Sequence, residues 1–119
     1  MSQSRAGDTA AASTELASAI DRFLTYLRDV RQLSPHTLTS YQRDLHTLQQ
    51  HSDAHGRDSP GQLNEADIRQ WVSQLHRRGL AGSSIQRSLS AARSFFDYLG
   101  REEGRPRNPA TSVQAPRMP

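Results

Sequence analysis

The chain has 119 residues, 34% of them hydrophobic and 23% charged, with a formal net charge of +3 and no cysteine. That length suits one compact domain, and the lack of thiols excludes a disulfide scaffold, a thiolate zinc site and a cysteine nucleophile. All 15 basic residues are arginine; a GC-rich genome accounts for this, yet guanidinium is also the better fork for phosphate oxygens and guanine edges.

The first 13 residues, MSQSRAGDTAAAS, lack the apolar stretch of a secretory signal and read as a disordered leader. No run of about 18 apolar residues exists to cross a bilayer, so the cytoplasm is the expected compartment and no membrane partner is expected. A first helix is predicted from about Glu15 to Gln32, with Thr14 as its cap. There Leu16, Ile20, Phe23, Leu24, Leu27 and Val30 recur at three- and four-residue spacing. A second opens at Ser34-Pro35, a capping hydroxyl followed by proline where a missing N–H costs nothing. Leu38, Tyr41, Leu45 and Leu48 form its apolar stripe, and it is expected to fray between Gln50 and His55. The stretch HGRDSPGQ then reads as a loop.

The third helix starts after Asn64, with Asp67 favouring the N-terminal amides, and stops at Gly79. Ile68, Trp71, Val72 and Leu75 line one side of it. After the turn Leu80-Ala81-Gly82, a fourth helix runs from Ser83 to about Glu103, with Ile85, Leu89, Ala92, Phe96 and Leu99 on one face. Four prolines follow within residues 104–119, which read as an extended linker. No strand pattern competes with these helices. The fold expected is all-α, a small four-helix orthogonal bundle spanning residues 14–103.

The charge is unevenly placed. Between Ile68 and Phe96 stand Arg69, Arg77, Arg78, Arg87 and Arg93 with no acid. On a helical wheel, Ser83, Gln86, Arg87, Ser90, Arg93 and Ser94 share the side of the fourth helix away from its apolar pole. The far side of the second helix holds His36, Thr39, Ser40, Arg43 and Thr47. Short hydroxyls beside guanidiniums can approach a major groove closely and donate to phosphates and base edges. An ordinary solvated surface is the alternative, although such faces usually mix both signs.

Other candidates weaken on inspection. His51 and His55 have i,i+4 spacing, but no second pair of ligands stands nearby, so no metal or other cofactor is expected. No Ser-His-Asp set, glycine-rich phosphate loop or carboxylate pair has supporting context. Tyr41, Trp71, Phe95, Phe96 and Tyr98 fall at core or near-core spacing and suit packing better than catalysis or base stacking. No catalytic residue is expected in this chain.

Three segments taken together, QLSPHTLTSYQRDL, RRGLAGSSIQRSLSAARSFFDYL and NPATSVQAPRMP, resemble the N-terminal domain of tyrosine recombinases, in particular the Xer branch. The resemblance covers about residues 15–119. It implies a SAM-like core-binding domain that packs on one side of double-stranded DNA, its second and fourth helices toward the major groove. Carried over by position, the implied contacts are His36, Thr37, Ser40 and Arg43 on the second helix. On the fourth helix they are Ser83, Ser84, Gln86, Arg87, Ser90 and Arg93, with Arg77 and Arg78 holding the backbone from the end of the third. About five or six phosphate contacts are expected, with a steep loss of affinity in salt.

The family's tyrosine, arginine, lysine and histidine catalytic set belongs to a C-terminal domain, toward which residues 104–119 would lead. The resemblance further implies a dif-like half-site, a sister recombinase in a tetrameric synapse, and contacts between protomers through the first helix. A phage or mobile-element integrase would share these features. A helical protein-interaction module and a helix-turn-helix regulator are the readings from other classes, and the acid-free basic faces argue against the first of them.

Overall fold

A computed structural model describes residues 14–105 and 107–115; the leader expected over residues 1–13 lies outside the described residues. Four helices follow in order: α1 (Glu15–Asp29), α2 (Pro35–Ala54), α3 (Glu65–Arg77) and α4 (Gly82–Glu103). No strand occurs among the described residues. The all-α, four-helix expectation holds.

Local chemistry sets the ends. The Thr14 hydroxyl accepts from the Ala17 amide at 3.0 Å and the Ser34 hydroxyl from the Thr37 amide at 3.3 Å. At α3, Asn64 and Asp67 exchange side chain-to-backbone bonds of 2.9 and 3.0 Å, a full capping box. Gly79 and Gly104 close α3 and α4 with φ of 87° and 71°, a region where a Cβ would strain the backbone.

Two ends differ from expectation. The first helix stops at Asp29 rather than Gln32, because Gln32 turns left-handed (φ 53°) and the Leu33 amide bonds back to the Leu27 carbonyl at 3.1 Å. Val30, counted by spacing in the apolar stripe, is 66% exposed. Helix α2, expected to fray from Gln50, continues to Ala54. There Ser52 is fully buried and donates to the Leu48 carbonyl at 2.8 Å, while His51 is held by Gln74 of α3. The following loop also carries order. Pro60–Gln62 form a 3-10 turn, the Gln62 side-chain oxygen accepts from the Asp58 and Ser59 amides, and the Asp58 carbonyl accepts from Leu16 of α1 at 2.9 Å.

The core gathers between α4 and the other three helices, all of which pack on it. Phe23 of α1 sits at its centre, its ring centroid 5.8 Å from Tyr41, 5.7 Å from Phe95 and 5.3 Å from Tyr98. Trp71 of α3 is fully buried, and its indole N–H donates to the Thr47 hydroxyl of α2 at 3.1 Å. Thr47 in turn donates to the Asp44 carbonyl at 2.7 Å. Because α4 touches every other helix, its buried arc is wider than one stripe. Ser88, Ala91, Phe95 and Tyr98 are buried along with the five residues that spacing selects.

The segment after Gly104 runs back rather than away. Ala110 and Val113 are buried, and Asn108 donates to the Arg93 carbonyl at 3.2 Å and to the Asp97 carboxylate at 2.8 Å. Arg93 completes the latch, its guanidinium donating to the Ala110 carbonyl at 3.1 Å and to the Val113 carbonyl. The tail, read as extended, is thus docked on α4 in its described part. Replacing Arg93 by alanine removes both donors, and the tail is expected to open locally. Trypsin should then cut the Arg107–Asn108 bond about tenfold faster, read by mass spectrometry, if the latch lowers the open population by about 1–1.5 kcal/mol.

Candidate nucleic-acid interface

Helices α2 and α4 meet along a seam that opens as a groove of about 260 Å³, lined by Thr37, Ser40, Tyr41, Asp44, Arg87, Ser90 and Ala91. Four residues implied by the resemblance, Thr37, Ser40, Arg87 and Ser90, therefore come together although about 50 positions separate them in the chain. The reason is helical. Residues 37, 40, 41 and 44 share one side of α2, residues 87, 90 and 91 share one side of α4, and packing the apolar poles brings those flanks together.

Along α2 and α4 the expected residues sort by exposure. His36, Thr37, Arg43, Ser83, Gln86, Arg87 and Ser90 are exposed, and Ser40 and Ser84 are half-buried. Arg43 lies on the face of α2 that carries His36 and Ser40, and none of the ion pairs among the described residues involves it. The Thr37 hydroxyl stands 3.0 Å from that of Ser34, which itself serves as the cap expected of it. At the start of α4, Ala81 offers no side-chain acceptor. The first amides of that helix, at Gly82, Ser83 and Ser84, therefore have no carbonyl in their own helix to bond and carry its positive dipole end.

Two arginines are placed otherwise than expected. Arg93 is half-buried, and its fork is committed to the tail carbonyls, so it does not stand free on the polar face. Arg87 is exposed but not solitary: its Nε bonds Asp44 Oδ2 at 3.0 Å and an Nη bonds Asp44 Oδ1 at 3.2 Å. That contact also holds the guanidinium more firmly protonated than an isolated one. Asp44, 3% exposed, takes a third bond from the Ser88 hydroxyl at 3.1 Å.

Apolar spacing and the polar far side of α2 do not select Asp44. A signal was present: Asp44 stands three residues after Tyr41 and four before Leu48, on the flank of the apolar stripe. A carboxylate there must find partners when the helix packs. Tyr41, assigned to the core, lies half-buried and lines the groove as well.

Arg77 is exposed on a different concavity of about 740 Å³, where it joins Arg69, Gln70, Ser73 and Gln74 of α3, His51 of α2 and the α2 C-cap His55. Arg69 is paired there with Glu65. Arg78, the exposed C-cap of α3, lines neither concavity. The structure thus unites Thr37, Ser40, Arg87 and Ser90 in one groove and leaves the α3 pair apart from it.

The two histidines stack, with ring centroids 4.2 Å apart, and no cluster of three or more potential metal ligands occurs among the described residues. His51 is 5% exposed, with Nδ1 2.7 Å from Gln74 Oε1 and no partner for Nε2. Burial is the main cause that pushes its pKa below the usual 6.5. The folded chain therefore favours neutral His51, and its contribution to stability is present above about pH 6.5 and lost as pH falls through the folded-state value. Urea midpoints compared at pH 7.5 and 5 should show that loss in the wild type and less of it in His51→Asn.

With this geometry in view, the comparisons with known proteins decide the family. The profile described as "Phage integrase, N-terminal SAM-like domain" matches residues 20–103. The chain belongs to that family. Among its relatives, tyrosine recombinase XerC of Xanthomonas campestris pv. campestris (strain B100) is 41% identical over 102 residues, covering 86% of this chain and 32% of the relative. The XerC of Xanthomonas axonopodis pv. citri is 40% identical over 112 residues, 86% of this chain and 37% of the relative. That of Shigella dysenteriae serotype 1 is 40% identical over 106 residues, 89% and 36%. The SAM-like chain thus spans about a third of the length of the curated relatives it matches. No solved structure matches it. None of its described helices is long and apolar enough to cross a membrane.

Proposed function

We propose that the α2–α4 face seats double-stranded DNA at a recombination half-site, as the N-terminal arm of a XerC-like tyrosine recombinase. The observation that carries this reading is the groove in which Thr37, Ser40, Arg87 and Ser90 meet, with the one carboxylate of its lining neutralised by Arg87. A polyanion meets hydroxyls and one guanidinium there, and the one acid of the lining is paired. Arg43 and the open amides at the start of α4 fix register on phosphates, and Ser40, Gln86, Arg87 and Ser90 reach toward base edges.

Catalysis belongs, on this reading, to the rest of the parent recombinase, and this domain supplies recognition. The parent acts on a dif-like site with a sister, XerD-like recombinase in a tetrameric synapse, resolving chromosome dimers before segregation in the cytoplasm. Identity near 40% to several XerC proteins favours this role over that of a mobile-element integrase. Thr37 in the groove and His36, Ser83 and Ser84 on the same two helices add short-range contacts, while Arg77 and Arg78 hold the flanking backbone. Arg93 acts indirectly, by docking the tail that leads to the next domain.

The test is a titration of duplexes enriched from a randomised pool. Arg87→Ala, which removes a base contact, should weaken binding by about 1–3 kcal/mol, and Arg43→Ala, which removes a phosphate contact, should weaken binding to all duplexes alike and lower the salt slope by about one. Unchanged affinity in both variants would remove these helices from the interface.

A further inference from the structure

The floor of the groove holds a carboxylate, an unexpected neighbour for a phosphate backbone. Asp44 is 3% exposed, yet three donors satisfy it: Arg87 Nε at 3.0 Å, an Arg87 Nη at 3.2 Å and the Ser88 hydroxyl at 3.1 Å. The main chain beneath is fastened too, since the Asp44 carbonyl accepts from Thr47, whose hydroxyl is bonded by the Trp71 indole. The carboxylate therefore sits on a fixed platform tied into α3 and α4.

This arrangement has two consequences for Arg87. Electrostatically, Arg87 and Asp44 together are close to neutral, so the pair is a poor anchor for phosphate, whose capture rests on net positive charge. Geometrically, Asp44 occupies the Nε side of the guanidinium. The end edge, with one N–H from each terminal nitrogen, stays open, and the side chain remains 47% exposed. Two parallel N–H donors held in one plane match the O6 and N7 acceptors that guanine presents in the major groove. Holding the fork in place beforehand removes the rotamer freedom that a free arginine loses on binding.

We infer that Asp44 is a positioning residue which locks Arg87 as a guanine-reading fork, so that the α2–α4 groove selects a G·C pair at one place in the half-site. The inference rests on the reading of this groove as the DNA-facing surface, and it deepens that reading from DNA in general to a base-specific contact. Asp44 does not touch the duplex. It acts through Arg87.

The experiment enriches duplexes from a randomised pool with the 119-residue chain and with Arg87→Lys and Asp44→Asn, then measures affinities for the enriched duplex and for one with the selected guanine replaced. The wild type is expected to enrich one guanine and to lose about tenfold in affinity when that base becomes 7-deazaguanine, which lacks the N7 acceptor. Arg87→Lys keeps the charge and loses the fork. It should lose that discrimination and bind the duplexes with and without the guanine about equally.

Asp44→Asn keeps the shape and the Ser88 contact. It should lose most of the guanine preference and bind the guanine-free duplex at least as well, because a negative charge has gone. A merely structural Asp44 would weaken both duplexes alike. Should the asparagine chain fail to fold by circular dichroism, Asp44→Ser, with a smaller side chain, takes its place. Full guanine selection by Arg87→Lys would mean a phosphate contact and overturn the inference, as would full selection by a folded Asp44 variant. If the wild type enriches no duplex at all, the reading of the groove falls first and the inference with it.

Discussion

Truncating Phe23 to alanine is expected to lower the stability of the chain by about 3–5 kcal/mol, the usual range for a large aromatic side chain lost from a packed core. Phe23 is 1% exposed, and its ring is shared by three helices: Tyr41 of α2 and Phe95 and Tyr98 of α4 all stand within 6 Å of its centroid. These three ring neighbours, carried on two separate helices, cannot collapse into the space together. The cavity therefore persists, and the cost sits toward the top of the range. Since a domain of this size is stable by about 5–15 kcal/mol, the variant should be marginal, with a melting temperature lower by about 10–20 °C. Val30→Ala is the matched control. Periodicity places both residues on one stripe, but Val30 is exposed and its loss should change stability by less than about 0.5 kcal/mol. Urea denaturation of the two variants measures the contrast, and equal losses would contradict the packing of α1 described above.

DNA affinity should fall about a hundredfold when monovalent salt is raised fourfold, corresponding to about four neutralised phosphates. The residue pattern alone suggests about five or six, and a slope of that size would give a loss of about five hundredfold to two thousandfold over the same range. The structure lowers the number for two stated reasons. Arg93 is committed to the tail carbonyls, and the charge of Arg87 is balanced by Asp44. Arg43, Arg77 and Arg78 remain, together with the open amides at the start of α4. Fluorescence anisotropy of an enriched duplex across a salt series gives the slope directly. Asp44→Asn, which unmasks the charge of Arg87, should steepen it by about one phosphate.

Much of the fold was legible because the interactions that define it are short in sequence. The caps at Thr14, Ser34 and Asn64 act within three residues, and the left-handed glycines at 79 and 104 end their helices where they stand. Apolar spacing found the poles of all four helices. Where spacing erred, the decisive partner lay elsewhere. Val30 lost its place in the stripe to a turn completed by Gln32 and Leu33, and α2 outlasted its expected end because Gln74, 23 residues away, holds His51.

The candidate interface divides the same way. That α2 and α4 each carry a flank of hydroxyls and arginine follows from their residues alone, since a helix repeats its faces every few positions. That the two flanks border one groove, that Asp44 reaches Arg87 across 43 residues, and that Arg93 turns to the tail were decided by packing. A guanidinium on a long side chain takes the nearest acceptor that the finished fold offers. Which acceptor that is depends on how the helices cross, and no local pattern encodes it.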